Sequence, residues 1–184
     1  MSIITTIKSF ITKYKVNKND ASKRAWLRAQ GAIVGKGTRF IGNASLGTEP
    51  FLVEVGEDCL ISSNVMFLCH DGGVKVLNAL GYFGGERMDK MARIKVGNNC
   101  FLGRDSKILG GVTIGDNVII GTGSIVTKDI PSNVVAAGMP ARVICTIDEY
   151  YQKNKARGVF YPTPTLPEDE KVAYLKENVA QLSD

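Results

Sequence analysis

The chain has 184 residues, of which 44% are hydrophobic and 22% charged, and its formal net charge is +5. This length and balance fit one soluble domain with a sizeable core. They exclude a membrane-spanning helix, because no apolar run approaches the ~20 residues that such a helix needs. The N-terminal stretch also lacks a small-residue cleavage site, so it does not resemble a signal peptide, and we expect a cytoplasmic protein.

Residues 1–30 are predicted to form a helical cap, because apolar residues recur at helical spacing from Ile4 to Tyr14. Trp26 and Leu27 are expected to plug the open end of the core that follows. Lysine and arginine are frequent in this segment. They are expected to form a solvated helix face, with a role at a membrane surface or a polyanion as the alternative.

A six-residue repeat dominates the rest of the chain. Irregular units begin at Ile33, a cleaner block starts at Val55, and an unbroken run extends from Val96 to Pro131. Each unit of this run begins with an aliphatic residue, at Val96, Leu102, Ile108, Ile114, Ile120 and Val126. A period of six is typical of a parallel β-helix, in which three units make one coil of ~18 residues and the coils stack at about 4.8 Å.

Cys59 and Cys100 occupy the fifth position of their units, which points inward, so we expect them to be small buried hydrophobic residues. No Cys-x-x-Cys spacing indicates zinc binding or redox chemistry.

The period is lost between Gly72 and Arg93, where five glycines and several apolar residues share no common spacing. Long loops inside compact domains tend to be functional or disordered, and the apolar content favours order. The segment 72–93 is therefore predicted to be an ordered excursion from the solenoid, lying over a neighbouring subunit.

After Pro131 the repeats end, and a helix is predicted from Ile147 to about Ala156. A proline-rich extended stretch should follow, and then a final helix carrying an apolar stripe at Val172, Leu175, Val179 and Leu182. The expected organisation is a cap at 1–30, a β-helix at 31–146 and a helical extension at 147–184.

His70 is the only histidine and stands where the repeat breaks. A neutral imidazole can take a proton from an alcohol or amine near neutral pH. Asp71 or a backbone carbonyl could orient its ring. Cys69 as a nucleophile activated by His70 is a weaker hypothesis, because an inward thiol would be buried and inert. Since three histidines are needed to hold zinc in the γ-type carbonic anhydrases, which share such solenoids, we expect no metal site of that kind.

The run 96–144, which closes on Val-Val-Ala-Ala-Gly-Met-Pro-Ala-Arg-Val-Ile, resembles the C-terminal part of the hexapeptide-repeat acyltransferases. The galactoside, maltose and nodulation-type sugar O-acetyltransferases are the most similar, and the xenobiotic acetyltransferases are close to them. The block 53–73, which includes His70, adds a weaker likeness.

The resemblance implies a left-handed β-helix that assembles as a homotrimer, with acetyl-CoA bound in grooves between neighbouring subunits. It implies direct acetyl transfer to a hydroxyl of a sugar or polysaccharide precursor, with His70 as general base. The residues that match the family's CoA contacts are Phe101, Gly103, Arg104, Thr122, Thr127, Lys128 and Arg142.

Two positions depart from the family pattern. Arg104 replaces the usual serine, which leaves only a backbone contact there, and Cys145 stands where some members carry a second basic residue. A backbone amide near Gly103 and Arg104 is the candidate donor to the oxyanion.

Two other functions remain open at this point. One is N-acetylation of an amino sugar, an amino-sugar nucleotide or an antibiotic, since the same base serves both acceptors. The other is a non-catalytic trimeric scaffold, which would need neither His70 nor the excursion. Nucleic-acid binding is not expected, because the basic residues lack interleaved aromatic residues.

Overall fold

The computed structural model describes residues 20–179. The chain divides after Ile147 into two units. The strands are β1 Ile33–Val34, β2 Arg39–Phe40, β3 Val53–Val55, β4 Leu60–Ile61, β5 Met66–Leu68, β6 Ile94–Val96, β7 Phe101–Leu102, β8 Lys107–Leu109, β9 Thr113–Ile114, β10 Ile119–Ile120, β11 Ile125–Val126, β12 Val134–Gly138 and β13 Ala141–Thr146. The α-helices are α1 Asp20–Ala29, α2 Val74–Ala79, α3 Ile147–Ala156 and α4 Glu168–Val179, and a short 3-10 helix spans Pro50–Leu52.

The strands of the described chain form the three faces of a left-handed parallel β-helix. The first sheet has the order β1-β3-β6-β9, the second β13-β12-β10-β7-β4-β2 and the third β11-β8-β5. Within the regular coils, paired residues are 18 positions apart, as in Leu102 with Ile120 and Ile108 with Val126. The predicted fold and coil length are therefore confirmed.

The core consists of the residues that the period sends inward. The aliphatic first positions of the run from Val96 to Val126 are all buried, with at most 3% of their surface exposed. The fifth positions are buried as well, and they include the free thiols of Cys59 and Cys100. Both cysteines are therefore small core residues, as predicted.

Asparagine side chains connect successive coils at the corner between the first and second sheets. Asn99 donates from Nδ2 to Oδ1 of Asn117 at 2.9 Å, and Asn117 donates in the same way to Asn133 at 2.9 Å. All three have positive φ angles, of 52°, 56° and 64°. Asparagine tolerates this left-handed conformation better than most residues, so the Gly-Asn-Asn and Gly-Asp-Asn turns both bend the chain and hold the coils in register.

The segment 72–93 is an ordered excursion that contains helix α2. Across it, paired residues such as Phe67 and Ile108 are 41 positions apart in place of 18, so the loop inserts 23 residues at one corner. Asn78 in α2 binds the returning part of the loop, because its side chain donates to Met88 O and accepts from Met88 N. That the loop covers a neighbouring subunit stays a prediction.

The cap differs from the sequence prediction in how it covers the first coil. Leu27 is buried, as expected, but Trp26 is 37% exposed and does not plug the core. Basic side chains of α1, and not Trp26, contact the open end of the first coil, where they bind backbone carbonyls. Lys23 donates to Gly42 O at 2.6 Å, Arg24 to Thr38 O at 2.7 Å and Arg28 to Val34 O.

The expectation of a solvated basic face is wrong for Lys23, which is buried, and Arg24 is only half-exposed, whereas Arg28 stays exposed as expected while it binds its carbonyl. The terminal coil of a solenoid has no further coil to receive its carbonyl groups, and buried carbonyls need a donor. Long cationic side chains supply one while their stems cover apolar surface. Residues 1–19, which carry the other predicted basic positions, lie outside the described range.

The C-terminal end of the β-helix is a hairpin that the sequence pattern did not predict. Strand β12 pairs with β10 in parallel, and β13 then pairs with β12 antiparallel. Helix α3 has the predicted bounds, and α4, which ends at Val179, contains the predicted stripe positions Val172 and Leu175, while Leu182 lies outside the described residues. Between residues 20 and 179, no helix is long and apolar enough to cross a membrane.

We predict that Lys23→Met destabilises the protein. Lys23 is only 6% exposed, and methionine fills a similar volume but leaves Gly42 O without its donor. Such a loss costs about 1–3 kcal/mol, which urea unfolding would measure. Lys36→Met, at an exposed position, is the control and should change stability by less than about 0.5 kcal/mol. Equal stability of the two variants would contradict the capping role.

Candidate active site

His70 lies at the point where the excursion leaves the third sheet. It is the second residue after β5 and forms an isolated antiparallel bridge with Met91, on the returning end of the loop. On either side of it, Ala92 N donates to Cys69 O at 2.8 Å and Asp71 N donates to Lys90 O at 2.9 Å. The two ends of the loop are thus held together beside the imidazole, which is 42% exposed.

The carboxylate nearest to the ring comes from the loop. Asp89 Oδ1 lies 3.9 Å from His70 Nε2. Asp71 is engaged elsewhere, because it accepts from Lys90 Nζ at 2.6 Å and from Gly73 N at 2.9 Å. These bonds, the Lys90 side chain first, lower the pKa of the Asp71 carboxyl. Asp71 therefore fastens the base of the loop, and the expectation that it could orient the imidazole finds no contact in its favour.

Two hollows adjoin His70. The first, which we call the corner hollow, has a volume of about 320 Å³ and is lined by His70, Asp71, Lys90, Met91, Leu109 and Gly110. The second, the loop hollow, has a volume of about 530 Å³ and is lined by His70 together with Val74, Lys75, Asn78, Arg87 and Asp89 of the excursion. The histidine stands between them, so a group bound in either hollow can reach its ring.

Gly110 makes room for this arrangement. A Cβ atom at that position would lie 3.1 Å from Cys69 O and 3.3 Å from the Cβ of Ala92. Both distances are shorter than ordinary van der Waals contacts, so a side chain at this position would push against Cys69 and Ala92, at the two ends of the loop.

Cys69 is buried, with 4% of its surface exposed. Burial raises the pKa of its thiol, and the nearby Glu49 carboxylate acts in the same direction. A thiol needs the opposite shift to act as a nucleophile at neutral pH. The structure therefore supports the expectation that Cys69 is inert.

Thr127 and Lys128 lie on the same corner as His70. Leu68 pairs with Leu109, and Ile108 pairs with Val126, so the residues after β11 stack above those after β8 and β5. Two coil steps separate Lys128 from the start of the excursion, which corresponds to about 10 Å. Both side chains are exposed. We call this edge of the third sheet the His70 corner.

Gly103, Arg104 and Thr122 lie on the opposite edge of the third sheet, which we call the Gly103 corner. Gly123 N donates to Arg104 O at 2.8 Å, which stacks the two turns. A Cβ atom on Gly103 would lie 2.6 Å from Thr122 N, so no larger residue fits between these coils. Gly103 N already donates to Ile120 O at 2.8 Å, which leaves the Arg104 amide as the candidate oxyanion donor of this turn.

Phe101 and Arg142 lie on the second sheet. Phe101 begins β7 and is 36% exposed, just before the Gly103 corner. Arg142, in β13, is exposed, and one of its guanidinium nitrogens donates to Ala141 O at 2.8 Å. Within one chain, Thr127 and Lys128 therefore share the corner of His70. The remaining candidate residues lie at the Gly103 corner or on the second sheet.

Sequence reasoning missed Asp89, Lys75 and Arg87. All three belong to the excursion, where no repeat indicates which side chains face the histidine. Asp89 stands two residues before Met91 in the sequence. Its position near His70 follows only from the bridge between Met91 and His70, which the sequence does not reveal.

Comparisons with known proteins identify the family. The sequence of residues 93–128 matches the protein family described as bacterial transferase hexapeptide (six repeats). Protein CapG of Staphylococcus aureus is 40% identical over 158 residues, which cover 83% of this chain and 88% of that protein. The galactoside O-acetyltransferase of Escherichia coli is 37% identical over 147 residues, with coverages of 72% and 68%.

One solved structure confirms the fold. The hexapeptide-repeat-containing acetyltransferase from Vibrio cholerae superimposes with a TM-score of 0.60 at 19% identity, over 80% of this chain and 94% of that one. The transferase family model and the galactoside O-acetyltransferase among the curated relatives decide against a non-catalytic scaffold. The chain therefore belongs to the bacterial hexapeptide-repeat transferases and is an acetyltransferase of that family.

Proposed function

We propose that the protein transfers the acetyl group of acetyl-CoA to a hydroxyl of a sugar or of a polysaccharide precursor, with His70 as the general base. The observation that carries this proposal is the position of the only histidine, half-exposed at the base of the loop and shared by the two hollows. A hydroxyl acceptor is favoured over an amine because one relative of high coverage is a galactoside O-acetyltransferase.

The reaction proceeds by direct transfer. His70 takes the proton of the acceptor hydroxyl as its oxygen attacks the thioester carbonyl, and a tetrahedral oxyanion forms. The carbon–sulfur bond then breaks, and the leaving thiolate receives the proton from the imidazolium. A general base at this position contributes roughly 10²–10⁴ in rate.

Asp89 assists by its charge. Its carboxylate lies 3.9 Å from Nε2 of His70, where a negative charge favours the imidazolium that forms during proton transfer. The carboxylate is 72% exposed, so solvent screens much of this effect and we expect it to be modest.

Acetyl-CoA is proposed to bind along the third sheet between two subunits of a homotrimer. Thr127 and Lys128 of one subunit would contact its phosphates or adenine from the His70 corner. Phe101, Gly103, Arg104, Thr122 and Arg142 of the neighbour would form the facing wall. This arrangement accounts for the separation of the two sets of residues on opposite edges of the sheet in one chain. We place the reaction in the cytoplasm, as expected from the sequence.

We predict that His70→Ala lowers kcat by about 10²–10⁴ while the affinity for CoA changes little, because no cofactor contact is assigned to the imidazole. Thiol release from acetyl-CoA with a panel of sugars would measure turnover, and a thermal shift with CoA would measure binding.

Asp89→Asn is the matched variant for this experiment, since it removes only the charge beside the ring. It should lower kcat by about fivefold, from the Coulomb energy of two charges 4 Å apart in water, and leave the KM for acetyl-CoA unchanged. Near-normal turnover of the His70 variant would contradict the assignment of the base.

Cys69→Ala should retain turnover within about threefold, because the raised pKa of this thiol leaves little thiolate for catalysis at neutral pH. In the wild type, alkylation of Cys69 by iodoacetamide should stay slow at pH 7–8 and accelerate only as the pH rises beyond the usual thiol range. Loss of acetyl transfer by a Cys69→Ala protein that still binds CoA would instead indicate a covalent intermediate on this thiol.

A further inference from the structure

The loop hollow contains two cations that the proposed reaction does not use. Lys75, in α2, and Arg87, on the returning part of the excursion, line it together with His70. Within residues 20–179, neither side chain takes part in an ion pair or a hydrogen bond. Two other lysines of the excursion and the coil that follows it are paired with carboxylates: Lys90 with Asp71 at 2.6 Å, and Lys95 with Glu54 at 3.6 Å.

The excursion brings Lys75 and Arg87 to the wall of the same hollow. Asn78, one helical turn after Lys75, accepts a hydrogen bond from Met88 N at 2.9 Å and donates one to Met88 O at 2.8 Å. Met88 is the residue directly after Arg87, so these two hydrogen bonds hold the returning part of the loop, which includes Arg87, against α2. The positions of Lys75 and Arg87 are therefore set by the fold of the loop.

The charges of the loop hollow do not cancel. Asp89 is the one carboxylate among its lining residues, and it faces His70. Two cations in one hollow repel each other, whereas an anionic group between them would satisfy both. An arginine and a lysine are also the side chains best suited to a carboxylate or a phosphate, the arginine through a two-pronged contact. A neutral sugar would need neither.

We infer that the acyl acceptor is an anionic sugar, whose carboxylate or phosphate is held by Lys75 and Arg87 in the loop hollow while its hydroxyl faces His70. This inference rests on the proposed function, because it takes His70 as the base. It adds the substrate class, namely a sugar that carries a uronate-type carboxylate or a phosphate ester.

The single histidine supplies the test. In protein labelled with ¹³C-histidine, only His70 gives a ring resonance, which can be followed while galactose, galacturonate or galactose 1-phosphate is added to the full chain. We expect at least one anionic sugar to shift this resonance at a concentration about tenfold lower than galactose does. The carboxylate and phosphate arms show which of the two groups the hollow prefers.

The variant Lys75→Ala/Arg87→Ala should lose this preference. The control Lys36→Ala/Arg39→Ala removes the same charge from exposed positions of the first coil and should keep it. If neither anionic sugar binds more tightly than galactose, or if the preference survives in the Lys75/Arg87 variant, the inference is wrong.

The titration needs no turnover, so it is independent of the proposed function. If the anionic sugars bind but no sugar hydroxyl is acetylated, the proposed function fails while the anion site stands. If neutral sugars are acetylated as fast as anionic ones by wild type and variant alike, the function stands and the anion site is overturned.

Discussion

Each coil of this protein is hydrogen-bonded to the next coil, which lies 18 residues further along the chain in the regular part, and this register constrains every other feature of the structure. Parallel strands need each backbone amide and carbonyl to meet a partner in the next coil. A residue can therefore be inserted only at a corner, where the chain turns between sheets. The asparagine ladder and the small inward residues at the other corners show how closely the register is kept.

The proposed active site lies where that register is interrupted. The excursion inserts 23 residues at one corner and still returns the chain to the strand above, because Phe67 and Ile108 pair as neighbours. Its two ends are joined by the two backbone hydrogen bonds that flank His70 and by the ion pair between Lys90 and Asp71. A rigid solenoid thus supports a loop of arbitrary sequence, so the proposed base can stay fixed while the sequence of the loop that forms the adjoining hollow varies.

The regular parts of the fold were predictable because a single physical period determines them. The aliphatic positions from Val96 to Val126 by themselves indicate the core and the coils, and the same period indicates that Cys59 and Cys100 are buried. His70 could be singled out because it is unique and stands at the break. Trp26 was assigned to the core wrongly, since hydrophobicity alone did not reveal that Lys23 would bind carbonyls of the open coil.

The contacts of the excursion could not be predicted because the repeat period is lost there. Asp89 reaches His70 only because Met91 bridges to it and Asn78 clasps Met88. These are tertiary contacts between residues with no common spacing, so a one-dimensional pattern carries no information about them. The terminal hairpin was missed because the strand that closes the solenoid reverses direction, which a parallel repeat does not foresee.

The central claim is that one subunit supplies His70 and its neighbour supplies the facing wall at the Gly103 corner. Co-expression of His70→Ala with Thr122→Trp, which fills the groove at an exposed position, tests it most directly. Each variant alone should be inactive. In trimers assembled at random from equal amounts of the two, about a quarter of the sites pair an intact base with an intact wall, so acetyl transfer should recover to about a quarter of the wild-type rate. A mixed preparation no more active than the two separate variants would contradict a site shared between subunits.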